Sequence, residues 1–332
     1  MYHHRCLLVV AIRNRFYRNW SPAEDLQNYR GLPLTTNTRL ILLEILIMNT
    51  SDETVARIGM VNYLNTAPIH EKWKSSVRHD NWLMVEAAPA VLNHQLAEGQ
   101  IDLGFVSSYE YAAHPDRYKI LSGLSISANG PVGSVFLFSH VPIEHLDGVP
   151  VLLTSQSETS VSLVKIILED FHHVRPQYVS GDVLAAEGKE FKALLAIGDD
   201  ALRLVDKATY LYQFDLGDIW KRETGLPFVF SVCAVREEFC QAHPQMLMAI
   251  HRELLRCRDE GKDDLKAICQ LSAARIPMSE KRCYEYLIAI EHDLNAQKRK
   301  ALETFFSFLI RRGEVVPEAL PLKIFSNLYP SV

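Results

Sequence analysis

From Arg57 onward the chain alternates short strand signals with helical ones, runs through that alternation twice, and closes on a helical tail. Few folds accept such a pattern. Strands separated by helices predict parallel α/β sheets, and two rounds predict two lobes with a cleft between them. The first round opens with the β-rich run Arg57–Tyr63. A capping residue ahead of Pro68 at Asn65-Thr66-Ala67-Pro68 then reads as a helix start. Trp82–Ala87 is the next strand, Pro89–Glu98 a helix ended by Gly99, and Ile101–Val106 a nearly continuous apolar strand that suits a buried position. Ser107-Ser108 opens a short helix, and 119–127 and 134–141 read as strands. The second round begins at the turn Leu146-Asp147-Gly148. It holds a strand at Val149–Leu153 and a helix with Val161, Val164, Ile167, Leu168 and Phe171 on one face. A buried strand at 193–197 and a return strand at Leu226–Val235 follow. Helices are predicted at 237–257, 263–271, 279–291 and 296–311. Residues 57–147 with 229–332 then form one lobe and 148–228 the other.

Residues 1–50 stand apart. They hold six Arg, no Lys and three acids, a net +3 in a chain of 332 residues whose total is −5. The later residues are thus near −8, and nothing in that balance favours nucleic acid or an anionic membrane as a partner. The apolar run Leu40–Met48 contains Glu44 and is far short of the ~20 residues that span a bilayer. This segment is read as an extension, without structure of its own or translated upstream of the true start. Met48 would be the natural initiator; a membrane-contacting or targeting helix is the alternative. Six cysteines occur without a C-x-x-C or zinc-finger spacing, so buried reduced thiols in the cytoplasm are expected.

In parallel α/β sheets, ligands bind beyond the carboxyl ends of the strands. The loops there are hydroxyl-rich. Thr154–Ser160 offers five hydroxyls in seven residues at the start of a helix, where free N–H groups and the helix dipole favour an anion. A plain Ser or Thr cap explains such a loop equally well. Asn65 is either a cap or an amide that both donates to and accepts from a hydroxylated ligand. Ser134 lies in Asn129-Gly130-Pro131-Val132-Gly133-Ser134 and reads as a strand serine facing the cleft. Asp199, after Gly198 at a strand end, reads first as a helix cap. No H-E-x-x-H, G-x-G-x-x-G, Walker A or nucleophile-elbow pattern occurs. The residues alone thus give a two-lobed α/β protein that binds a small anionic ligand.

Several segments, in order, resemble one family. Arg57-Ile58-Gly59-Met60-Val61-Asn62-Tyr63-Leu64-Asn65-Thr66-Ala67-Pro68 is similar to the opening of the MqnA-type chorismate dehydratases. Gly130-Pro131-Val132-Gly133-Ser134 looks like their G-P-V-x-S, and Ser155–Leu163 like their hydroxyl-rich helix start. Ile197-Gly198-Asp199-Asp200-Ala201-Leu202 resembles I-G-D-x-A-L. Asp215-Leu216-Gly217, Trp220-Lys221 and Thr224–Phe230 resemble D-L-G-x-x-W…T-G-L-P-F-V-F. The likeness covers 57–332. Cys233 departs from it, where relatives often carry an aromatic residue.

The resemblance implies a fold like the type II periplasmic binding proteins with a helical C-terminal segment, used as a cytoplasmic enzyme. The implied reaction converts chorismate to 3-[(1-carboxyvinyl)oxy]benzoate and water, opening the futalosine route to menaquinone. By the same resemblance Asn65 and Ser134 are the catalytic candidates. Thr66, Ser107, Ser108, Thr154, Ser157, Thr159, Ser160 and Asp199 are expected around the substrate. No metal or cofactor is expected, because the substrate's own enolpyruvyl carboxylate can act as base. Two other readings compete: a solute-binding or sensor protein of the same fold, and the sister 1,4-dihydroxy-6-naphthoate synthase. The sister enzymes usually begin with an S-x-C-P-N-D-T type segment that this chain lacks.

Overall fold

The computed structural model describes residues 55–326 except 186–190, 208, 274–275 and 277. The expected extension over 1–50, with Cys6 in it, lies outside the described residues.

Two sheets carry the structure. The first is built from β1 (Ala56–Val61), β2 (Trp82–Ala87), β3 (Leu103–Ser107), β4 (Tyr118–Ala128), β10 (Phe228–Arg236) and β11 (Ile324–Phe325), in the order β11-β4-β10-β3-β1-β2. The second holds β5 (Val135–Ser139), β6 (Pro150–Thr154), β7 (Gln177–Gly181), β8 (Ala193–Ile197) and β9 (Tyr212–Asp215), in the order β7-β6-β8-β5-β9. Between the strands run α1 (Ala67–Ser76), α2 (Pro89–Ala97), α3 (Ser108–Ala113), α4 (Glu158–Lys165), α5 (Gly198–Val205) and α6 (Leu216–Thr224). The C-terminal helices are α7 (Glu237–Ala242), α8 (Pro244–Asp263), α9 (Leu265–Ser272), α10 (Glu280–Ala289) and α11 (Ala296–Arg311).

Two expectations need correction. The strand read at 134–141 was assigned to the first lobe, but Val135–Ser139 pairs with β8 and β9 in the second sheet. The chain crosses between Ala128 and Val135, at Gly130-Pro131, not at Asp147-Gly148. The sheets are also mixed rather than parallel. β1 pairs parallel with β2 and β3, and β6 with β7 and β8. β10 runs antiparallel to β3 and β4, and β5 antiparallel to β8 and β9. The cause is the crossing itself. β5 and β10 are each the first strand after the chain passes from one sheet to the other, so each enters against the direction of its new neighbours.

Local chemistry sets the other boundaries. β3 and β8 are buried along their whole length, as continuous apolar runs require. Pro244, which has no N–H to give, splits the expected helix 237–257 into α7 and α8. After Lys165 the α4 helix widens into a π turn, Ile166–Phe171, which brings Phe171 to 6.1 Å from Trp220 and 5.5 Å from Phe308. Arg312, just past α11, bonds Glu169, Asp170 and Glu314. The tail of the first lobe is thereby tied to the second. Cys233 is fully buried in β10 beside Phe105, and the five described cysteines are buried free thiols.

Candidate active site

A cavity, with about 510 Å³ of empty space counting its mouth open to solvent, lies where the strand ends of the two sheets meet. From the first sheet it is lined by Val61, Tyr63, Asn65, Pro89, Ser107, Ile126, Phe230 and Ser231; from the second, by Val132, Ser134, Val135, Ser157, Ser160, Ile197 and Gly198. Among these there is no Asp, Glu, Lys, Arg or His. The walls are apolar patches set with hydroxyls and one amide.

Asn65 sits inside a 3₁₀ turn, Leu64–Thr66, not at its cap, and its side chain makes no capping bond. Its Oδ1 is buried without a hydrogen-bond partner. Leaving such an acceptor unmet costs about 1–3 kcal/mol, which a ligand donor in the cavity recovers. The backbone carbonyl of the same residue accepts from Nε2 of His292 at 2.7 Å. Burial holds that imidazole neutral, its pKa lowered to about 4.

Ser134 is 1 % exposed, and its Oγ accepts from the Tyr286 hydroxyl at 2.9 Å. Burial pushes the Tyr286 phenol up, so it stays a donor. The loop that carries Ser134 is gripped from below by Asp215. The Asp215 carboxylate accepts from the N–H groups of Val132, Gly133, Gly217 and Asp218, at 2.7–3.1 Å. Burial pushes this carboxyl up, and those four amides pull it back. Ser157 caps α4, accepting from the Ser160 N–H at 3.3 Å and donating to the Ser160 hydroxyl at 3.2 Å.

Five of the ten expected residues thus line the cavity: Asn65, Ser107, Ser134, Ser157 and Ser160. The other five are not on its lining and serve the frame. Thr66 donates to the carbonyls of Val61 and Tyr63, and Ser108 donates to that of Val229. Thr154 accepts from the Gln156 N–H. Thr159 accepts from the Tyr109 N–H, and Asp199 from the Leu64 N–H at 3.0 Å, both across the two lobes. Asp199 does not cap α5, whose N-cap is Ile197 without a side-chain bond.

Sequence reasoning missed Tyr63, Asn93, Gln156, Tyr286 and His292. The Tyr63 hydroxyl donates to Gln156 across the cleft, and Gln156 donates in turn to Asp200 at 3.1 Å. The Tyr63 ring lies on Gly198, where φ is +55° and a Cβ would stand 2.6 Å from ring carbons. Only glycine fits there, which accounts for the Ile197-Gly198-Asp199 motif.

A family model described as menaquinone biosynthesis matches residues 56–310. The chain belongs to that family. Within it, a chorismate dehydratase of Thermus thermophilus is 30% identical over 263 residues, 75% of this chain and 93% of the relative. A chorismate dehydratase of Campylobacter jejuni is 30% identical over 177 residues, 52% of this chain and 64% of the relative. Solved structures agree on the fold. A protein from Archaeoglobus fulgidus matches with a TM-score of 0.63 at 17% identity, over 80% of this chain and all of that one (100%). The alkanesulfonate-binding protein of Xanthomonas axonopodis pv. citri matches with a TM-score of 0.59 at 14% identity, over 82% and 98%. The fold is that of the periplasmic binding proteins. Among the described residues no helix is long and apolar enough to cross a membrane.

Proposed function

We propose that the protein is a chorismate dehydratase, a carbon–oxygen lyase that forms 3-[(1-carboxyvinyl)oxy]benzoate and water for menaquinone synthesis by the futalosine route. The observation that carries the reading is the character of the cavity wall. It offers neutral hydrogen-bond donors and no carboxylate or imidazole to serve as a base. A reaction that brings its own base suits such a wall. The enolpyruvyl carboxylate of chorismate takes the proton from C3. The electron pair left behind is conjugated through the ring diene with the ring carboxylate. Loss of the C4 hydroxyl then completes an aromatic ring, a large driving force. The protein has to orient the substrate, stabilise shifting negative charge and exclude water.

The side chains fit those tasks. Asn65, with its unpaired Oδ1, and Ser134, backed by Tyr286, orient the enolpyruvyl group or the leaving hydroxyl. Ser157 and Ser160, at the start of α4, receive a carboxylate. The bonds Tyr63–Gln156, Leu64–Asp199 and Tyr109–Thr159 join the lobes around the cavity, as closure over a substrate requires. A cytoplasmic location goes with this substrate.

The test is incubation of the full chain with chorismate, followed by mass spectrometry. Formation of a product one water lighter than chorismate is expected. No such product, under conditions where the Thermus thermophilus relative makes it, rejects the proposal. Binding with return of intact chorismate would make the protein a solute-binding or sensor protein.

A further inference from the structure

A hydroxyl group has one proton to donate and two lone pairs with which to accept. At Ser107 both acceptor directions are taken. Nδ2 of Asn93 donates to its Oγ at 2.9 Å, and the backbone N–H of Glu110 at 3.1 Å. The proton must leave in the remaining direction, and Ser107 lines the cavity. Asn93 has no freedom to reverse the arrangement. Its Oδ1 accepts from the Ser107 backbone N–H at 3.0 Å, which forces the amino end onto the hydroxyl. Asn93 is 4 % exposed, on α2, and stands behind the wall rather than in it.

We infer that Asn93 is a positioning residue: its amide locks the Ser107 hydroxyl as a donor aimed at a substrate carboxylate that Asn93 never touches. This rests on the cavity being the chorismate site. The logic is that of a wall without cations. A free serine offers a proton or a lone pair with equal ease. A site of neutral side chains selects an anion only if its dipoles are oriented before the ligand arrives. Tyr286 likewise donates to Ser134, filling one of its two acceptor directions.

The decisive variant is Asn93→Asp. It keeps the shape and the acceptor for the Ser107 N–H, but replaces the amino donor by a carboxyl oxygen. Ionised, the introduced carboxyl draws the Ser107 proton away from the cavity; protonated, it donates as the amide does. Burial places its titration above the usual carboxylate range. The ionisable residue tied to this spot is Glu110, whose backbone N–H bonds the Ser107 hydroxyl and whose carboxyl also feels His114 and Glu158. Glu110, whose carboxyl burial pushes up, accepts from the Tyr118 hydroxyl at 2.9 Å and lies 3.0 Å from His114.

For Asn93→Asp the KM for chorismate should be near that of the wild type at about pH 5.5 and at least about tenfold higher at about pH 8.5, with kcat changing less. Wild type and Asn93→Ala should show no such rise, and Ser107→Ala should abolish it in the double variant. A KM profile parallel to wild type in a cooperatively melting Asn93→Asp protein overturns the inference. So does a rise that survives without the Ser107 hydroxyl. If Asn93→Asp fails to fold, Asn93→Ala decides. It should raise KM about three- to tenfold at every pH, and an unchanged KM overturns the inference. A wild type that binds chorismate without dehydrating it defeats the proposed function alone, and the same series is then read as Kd. A wild type that neither converts nor binds it defeats both.

Discussion

The two sheets share one strand order, β2-β1-β3-β10-β4 in the first and β7-β6-β8-β5-β9 in the second, yet they build unlike walls. In the first sheet the segments after β1 and at the end of β3 face the cavity, and in the second those after the equivalent strands β6 and β8. The first lobe fixes Asn65 and Ser107 from within. His292 holds the Asn65 carbonyl, and Asn93 holds Ser107. In the second wall, Ser134 depends on Tyr286, which comes from the C-terminal helices beyond the first sheet. Gly198 is covered by the Tyr63 ring, and Gln156 is met by the Tyr63 hydroxyl. One wall is prearranged and the other is completed by its neighbour. A doubled topology thus yields a site that is whole only when the lobes are together.

The comparison is broken most directly at Asn65. Asn65→Ala should lower kcat/KM for chorismate about 100- to 1000-fold, on the scale of losing a preorganised donor or acceptor at the reacting atoms. Ser134→Ala should cost less, about 10- to 100-fold, because the Tyr286 hydroxyl remains to occupy part of its place. Steady-state kinetics decide. If the Ser134 variant is the worse of the two, the second wall carries the chemistry and the assignment of roles reverses.

Next in size is the support beneath Ser134. Asp215→Ala leaves four amides without their acceptor, and should lower stability by about 3 kcal/mol. Denaturant unfolding measures this. A loss below about 1 kcal/mol would mean that the loop is held from above, by Tyr286, rather than from below.

Much of this frame was legible in the sequence, and the reason is burial. β8, buried along its whole length, coincides with the run read at 193–197, because an apolar stretch bounded by turn residues admits few alternatives. β2 is a half-exposed edge strand, yet it coincides with Trp82–Ala87 because Trp82, Leu83, Met84 and Val85 still give it an apolar signature. β7 and β9 were missed. They are edge strands, half exposed and four or five residues long, without an apolar signature. Strand direction was illegible for a different reason: it depends on where the chain crosses, and Gly130-Pro131 looks like any other turn. The site divides the same way. Asn65, Ser107, Ser134, Ser157 and Ser160 sit at strand ends where hydroxyls and amides stand out. Tyr286 and His292 reach their partners across 152 and 227 residues of chain, Tyr286 from a helix whose pattern reads only as packing and His292 from the connection between α10 and α11. Asn93 is hidden on the buried face of α2, where a lone Asn among apolar residues gives no sign of its partner.

His292 gives the third prediction, which concerns the prearranged wall. Its native pKa is lowered to about 4, against about 6.5 for an unperturbed histidine. Below about pH 6.5 the unfolded chain therefore takes up a proton that the native state refuses, and stability falls as the pH drops toward 4. The loss by about pH 5 is about 2 kcal/mol. His292→Gln keeps a donor for the Asn65 carbonyl and removes the titration. Its unfolding free energy should therefore fall by about 2 kcal/mol less than that of the wild type between about pH 7 and pH 5. Equal slopes for the two proteins would mean that His292 is not held neutral by the fold.

The smallest effect sharpens the other wall. Tyr63→Phe removes the hydroxyl that meets Gln156 but leaves the ring on Gly198. Gln156 keeps its bond to Asp200, so the second wall stays in shape, and only the tie between the lobes weakens. The expected cost is about 1 kcal/mol, a fivefold rise in KM with kcat nearly kept, because closure and not chemistry is taxed. Gly198→Ala is the complementary change. It keeps the hydroxyl but sets a methyl 2.6 Å from the Tyr63 ring at a φ of +55°, so the ring has to move and Gln156 loses its partner as well. If closure completes the second wall, the glycine variant must raise KM more than the tyrosine variant, and the double variant no more than the glycine variant alone. Additive losses would show that ring and hydroxyl act separately, and that the tie at Tyr63 is two contacts rather than one latch.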